Sequence, residues 1–86
     1  MFDIYFSNKS SKQYDSFEDK YKKQIEDCLK TLILDPIPVK KYDLKKLSGA
    51  EDSFRIRIGK IRIVYVIYWK IKEILVAKIE FRETVY

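Results

Sequence analysis

The stretch Ser53–Tyr65, SFRIRIGKIRIVY, constrains the fold of this chain more than any other. Apolar and basic residues alternate on both sides of Gly59-Lys60, which is the period of a β-strand. With Gly59-Lys60 as a two-residue loop, Ile58 faces Ile61, Arg57 faces Arg62, Ile56 faces Ile63, Arg55 faces Val64 and Phe54 faces Tyr65. Phe54, Ile56, Ile58, Ile61, Ile63 and Tyr65 then share a core face, leaving Arg55, Arg57, Arg62, Val64, Val66 and Tyr68 on the other. Two arginines directly opposed destabilise a bare sheet by roughly a few tenths of a kcal/mol or more. An anion between them would offset that cost. The plainer alternative lays the arginine stems over the sheet and pairs their heads with Glu80 or Glu83.

The remaining chain supplies what the hairpin packs against. Phe2–Phe6 alternates, with Phe2, Ile4 and Phe6 on one side, and reads as a strand. Ser7 and Asn8 can cap a helix through KSSKQYDSF. From about Phe17 to Leu34, Phe17, Tyr21, Ile25, Cys28 and Leu32 follow helical spacing, joined by Leu29 and Ile33. Pro36 and Pro38 stop that helix. Residues 9–34 therefore form a helical hairpin or one bent helix, jointed near Asp15–Glu18. Val39–Asp52 is a basic connector, with Leu44 and Leu47 turned inward and Lys40, Lys41, Lys45 and Lys46 outward.

Three strands follow, at about Ser53–Ile58, Ile61–Trp69 and Ile74–Arg82. The last alternates Leu75, Ala77, Ile79 and Phe81 toward the core, which sends Lys78, Glu80 and Arg82 to the arginine face. That parity requires a turn with an odd residue count, or a bulge. The expected fold is α+β: an N-terminal strand, a helical hairpin and a three-stranded antiparallel meander, with the helices packed on one face of the sheet. With 86 residues and no linker-like segment, residues 1–86 are expected to form a single domain. So small a chain needs a core dense in large side chains, and 47% of its residues are hydrophobic and 15% aromatic.

Charge is unevenly placed. Residues 1–35 hold six Lys against seven Asp or Glu, net −1, whereas residues 36–86 hold twelve Lys or Arg against six acids, net +6. A basic face of this kind attracts polyanions, nucleic acid first among them, unless the charge serves only solubility. The absence of histidine excludes His-dependent triads, and with one cysteine there is no ligand set for zinc. Gly49 and Gly59 stand apart, so no glycine-rich phosphate loop exists. Catalysis must come from Lys, Arg, Tyr, Asp or Glu, with no cofactor and no metal expected. Cys28 cannot pair internally, which fits a reducing cytosol, and its place in the apolar stripe reads as a small buried hydrophobe. No apolar run approaches the roughly 18 residues of a membrane span, and the N-terminus lacks a signal-peptide layout. A cytoplasmic protein without a membrane partner is expected.

Taken in order, Leu47-Ser48-Gly49, Phe54-Arg55-Ile56-Arg57, Ile61-Arg62-Ile63-Val64-Tyr65 and the closing Arg82…Tyr86 resemble the RelE toxin family of the RelE/ParE superfamily. The helical hairpin ending in LDPIPVKKYDLKKL is similar to archaeal-type members. The resemblance implies a toxin of a type II toxin–antitoxin system: a ribosome-dependent endoribonuclease that cuts messenger RNA in the A site of a 70S-type ribosome, using the RNA 2′-hydroxyl as nucleophile. It implies that Arg62 binds the scissile phosphate, that Arg82 acts as general acid or charge stabiliser, and that Tyr86 stacks on or orients a nucleotide. Arg57 and Arg55 would complete the cage, with Lys45, Lys46, Lys60 and Lys78 as further RNA contacts. A RelB-like antitoxin is the implied protein partner.

Arg55 and Arg57 stand where several family members carry lysine. Arginine, with a pKa above about 12, does not act as a base at neutral pH. Lys45, Lys46 and Lys60 remain candidates for that role. The alternative function within the superfamily is a ParE-like, non-nuclease inhibitor of DNA gyrase, or a family member without cleavage.

Overall fold

The computed structural model describes residues 1–47, 49 and 52–81. Seven elements follow in order: β1 (Asp3–Phe6), α1 (Asn8–Ser16), α2 (Asp19–Leu34), β2 (Asp43–Lys46), β3 (Ser53–Ile58), β4 (Ile61–Tyr68) and β5 (Glu73–Phe81). The helical segment is a hairpin, broken at Phe17-Glu18 where the backbone turns extended. The sheet has five strands in the order β1-β5-β4-β3-β2. β1 runs parallel to β5, and every other pairing is antiparallel. The expected meander is therefore β3-β4-β5. β2 extends it inside the segment read as a connector, carried by Leu44 packed at the rim of the core.

The core lies between the sheet and α2. Ile25, Cys28 and Leu32 meet Phe54, Ile56, Ile61, Ile63, Tyr65, Ile67, Ile74, Val76 and Ile79, all buried. Tyr65 can be buried because its hydroxyl donates to the Pro36 carbonyl at 2.7 Å. Pro36, just past the end of α2, thus also receives the strand beneath. No described helix is long and apolar enough to cross a membrane.

β5 departs from the expected alternation. Tyr68 pairs with Glu73, so the β4–β5 loop holds the four residues 69–72, an even count. Ile74 and Val76, rather than Leu75 and Ala77, consequently face the core. A bulge then corrects the parity: Tyr65 pairs with Val76 but Val64 pairs with Lys78, leaving Ala77 as the extra residue. Beyond it Ile79 returns to the core, as expected, while Phe81 lies partly exposed at the rim against Phe17 and Tyr21.

The bulge frees backbone groups that α1 takes up. The Ser10 hydroxyl donates to the Val76 carbonyl at 2.7 Å and the Ser7 hydroxyl to the Ala77 carbonyl at 2.8 Å. The Gln13 side-chain oxygen accepts from the Ile79 N–H at 2.7 Å. Ser7 also caps α1 by accepting from the Ser10 N–H, so cap and bulge share one residue.

Burial pushes the Cys28 thiol from its ordinary 9.0 to about 12, with Lys41 opposing weakly. The folded protein holds this proton more tightly than the unfolded chain, so the associated stability is complete below about pH 9 and declines as pH rises toward 12. Urea unfolding as a function of pH should show that decline, and Cys28→Ala should remove its earliest part. Ser10→Ala should lower the unfolding free energy by about 0.5–1.5 kcal/mol, since it removes one of two hydrogen bonds to the Val76 carbonyl, which keeps the Ser7 N–H at 3.1 Å. Exposed Ser11→Ala should change it by less than about 0.5 kcal/mol.

Candidate RNA-binding site

The β3–β4 hairpin forms in the register expected from its alternation, from Phe54 opposite Tyr65 to Ile58 opposite Ile61. Gly59 makes the turn possible by taking φ +56, a conformation that other residues rarely adopt. Buried Ile56, Ile63 and Ile79 fix the parity of β3, β4 and β5, so Arg55, Arg57, Arg62, Lys78 and Glu80 stand on the face that the helices leave open.

Register organises that face into two adjacent rows running across four strands. One row reads Asp43, Arg57, Arg62, Glu80, and the next Lys45, Arg55, Val64, Lys78. The like-charged pair Arg57–Arg62 is therefore bracketed by a carboxylate at each end. Arg57 Nε lies 3.7 Å from Asp43 Oδ2. Glu80 Oε2 lies 3.5 Å from Lys78 Nζ, so among the described residues Glu80 pairs along its own strand rather than with an arginine. The Nε atoms of Arg55 and Arg62 are buried and lack any hydrogen-bond partner among the described residues. A buried donor left without a partner costs on the order of 1–3 kcal/mol, more when charged. Five cations face two carboxylates in these rows, a local excess of positive charge aimed at one open surface.

Of the residues singled out from sequence, Arg55, Arg57, Arg62, Lys45 and Lys78 come together. Lys46 does not: it pairs with Phe54 and has the parity of the helix side. Lys60 sits exposed in the turn at the hairpin tip. Arg82 and Tyr86 lie outside the described residues, as does Glu83, the other acid considered as an arginine partner. Asp43 is a member of the site that the sequence did not point to, because its strand was not recognised. The signal available was the Asp-x-Lys spacing at Asp43 and Lys45, which places opposite charges on one side of a strand.

Residues 4–86 match the family model described as the ParE toxin of the type II toxin–antitoxin system parDE. The chain belongs to the RelE/ParE toxin family. It is 41% identical over 64 residues to a Methanocaldococcus jannaschii protein assigned as toxin RelE1, a match covering 74% of this chain and 71% of that one. Its fold superposes on the archaeal RelE–RelB complex from Pyrococcus horikoshii with a TM-score of 0.85 at 26% identity, covering 98% of both chains. The intact RelBE toxin–antitoxin complex of E. coli shares the fold, with a TM-score of 0.82 at 17% identity, over 98% of this chain and 100% of that one.

In this RelE/ParE toxin the open face carries charge that opposes folding. Arg62→Met keeps the aliphatic stem while removing the repulsion and the orphaned donor. It should raise stability in urea by about 0.5–1 kcal/mol. The gain should shrink in 1 M salt, where repulsion between surface charges is screened.

Proposed function

We propose that this protein is the toxin of a type II toxin–antitoxin pair and acts as a ribosome-dependent endoribonuclease on messenger RNA. The observation that carries the reading is the convergence of Arg55, Arg57 and Arg62 on one open face, with two guanidinium donors lacking partners among the described residues. A phosphodiester supplies acceptor oxygens for such donors, and planar guanidinium groups bind phosphate in paired fashion. In the reading, Arg62 holds the scissile phosphate, and Arg57 and Arg55 stabilise the negative charge that grows on its oxygens during attack by the 2′-hydroxyl. Electrostatic stabilisation of that kind is commonly the largest contribution to such reactions. Lys45 and Lys78, at the ends of the adjacent row, contact neighbouring phosphates. Arg82 acts as general acid or charge stabiliser and Tyr86 orients a nucleotide, on the family resemblance alone.

The partners follow from the same reading. Relatives of this fold are solved as RelE–RelB complexes, which supports a RelB-like antitoxin that neutralises the basic face. The ribosomal A site supplies the ordered messenger. The matched family description names ParE, which favours inhibition of DNA gyrase as the second reading.

A translating extract programmed with a defined message, followed by primer extension, separates the two. Codon-phased cuts are expected with the wild-type protein, and Arg62→Ala should reduce them by about 10²-fold or more. An intact message together with trapped gyrase–DNA complexes would favour the second reading.

A further inference from the structure

Arginine cannot serve as the base that the proposed cleavage requires, and the open face holds other groups that can accept a proton. Asp43 and Glu80 bracket the arginine row, but they differ in position. Asp43 stands on the edge strand, its side chain 67% exposed, and is engaged with Arg57. Glu80 stands directly across from Arg62 on the neighbouring strand. Side chains directly opposed in an antiparallel pair have Cβ atoms about 4.5–5.5 Å apart. A phosphate held by Arg62 therefore brings its ribose within reach of the Glu80 carboxylate. Glu80 is the more sheltered acid, its side chain 41% exposed. Lys78 Nζ, 3.5 Å from Oε2, holds it in place.

Resting on the proposed ribonuclease reading, we infer that Glu80 is the proton acceptor for the RNA 2′-hydroxyl, with Lys78 as its positioning residue. The 2′-oxygen forms a bond to phosphorus and its proton passes to a Glu80 carboxylate oxygen. The bond from phosphorus to the 5′-oxygen breaks, its electron pair stays on that oxygen, and a proton from water or a cage cation neutralises it. The products are a 2′,3′-cyclic phosphate and a 5′-hydroxyl, with no oxidant or metal involved. Among the described residues, the charged groups facing Glu80 are Arg62 from β4 and Lys78 on its own strand, with Arg57 one strand further along the row. Their positive field supplies the stabilisation that the arginines give to the phosphorane.

The test is single-turnover cleavage on ribosomes programmed with one defined codon, comparing wild type, Glu80→Gln, Glu80→Asp and Arg62→Ala between pH 5 and 9. Glu80→Gln should cleave about 10²–10⁴-fold more slowly and lose the fall in rate that the wild type shows on the acid side. Its affinity for the programmed ribosome should stay within threefold, and Glu80→Asp should recover part of the rate. A substrate with sulfur in place of the 5′-bridging oxygen, which departs without a proton, should leave the Glu80→Gln defect in place. Restoration by that substrate would assign Glu80 to the leaving group and overturn the inference. So would a Glu80→Gln rate within threefold of wild type while Arg62→Ala is inactive, an outcome that leaves the ribonuclease reading standing. Failure of the wild type to cut any message would overturn both. Urea unfolding of each variant confirms that a lost rate is not a lost fold.

Discussion

The open face is set by hydrogen bonds made on the opposite side of the sheet. Ser10 and Gln13 of α1 and its cap Ser7 bind the backbone of β5 around the bulge at Ala77. A bulge leaves polar backbone unpaired, and in a buried strand that is tolerable only when side chains take it up. Here three side chains from one short helix and its cap do so. Because the bulge changes parity by one, it decides which way Lys78 and Glu80 point. Without it, continued alternation from Val76 would bring Lys78 and Glu80 to the core and Ile79 to the arginines. The amino-terminal helix, which contributes nothing directly to the charged rows, thus controls two of their eight positions.

Arginine and lysine divide the face by what each does well. The three arginines occupy β3 and β4, the inner two of the four strands that carry the rows, and the Nε atoms of Arg55 and Arg62 are buried. A guanidinium keeps its charge under those conditions and presents donors in a fixed plane, whereas a buried ammonium tends to lose its proton. The lysines stand on the flanking strands β2 and β5. The acids bracket the repelling pair, one from each flank, so the arrangement is locally balanced along the row yet strongly positive in sum. The Asp43 carboxylate pairs with Arg57, and the surplus positive charge suits a polyanion.

Legibility in the sequence followed the strength of the alternation. The hairpin was readable to the level of individual residue pairs because Gly59-Lys60 fixes the register and ten alternating positions agree with it. The break between the helices and the buried stripe Ile25, Cys28 and Leu32 were readable for the same reason at helical period. β2 was not, since Asp43–Lys46 has a single apolar residue, and an edge strand with one covered side chain looks like any charged loop. Placement of β5 was readable only in part. IleLeuValAla, residues 74–77, is apolar at every position, so either parity satisfies the core, and the choice falls to the loop length and the partners on α1. Glu80 was legible as a neighbour of the arginines but not as the partner of Lys78, because an i, i+2 ion pair along one strand depends on rotamers that alternation does not specify.

A two-layer chain of this size cannot enclose a reaction centre. Its helices cover one face, its core occupies the space between, and the charged rows are left on a surface open to solvent. In water, attraction between a guanidinium and a phosphate about 4 Å apart is worth on the order of 1 kcal/mol, and it grows several-fold once the surroundings are less polarisable. A site made mostly of cations on an open sheet is therefore weak until something covers it. In the reading proposed here the ribosome is that cover: it excludes water from the arginine row and holds the message in a fixed conformation against it. The same exposure gives an antitoxin direct access to the whole face. In that reading, dependence on a large partner for activity and ease of inhibition by a small one follow from the same architecture.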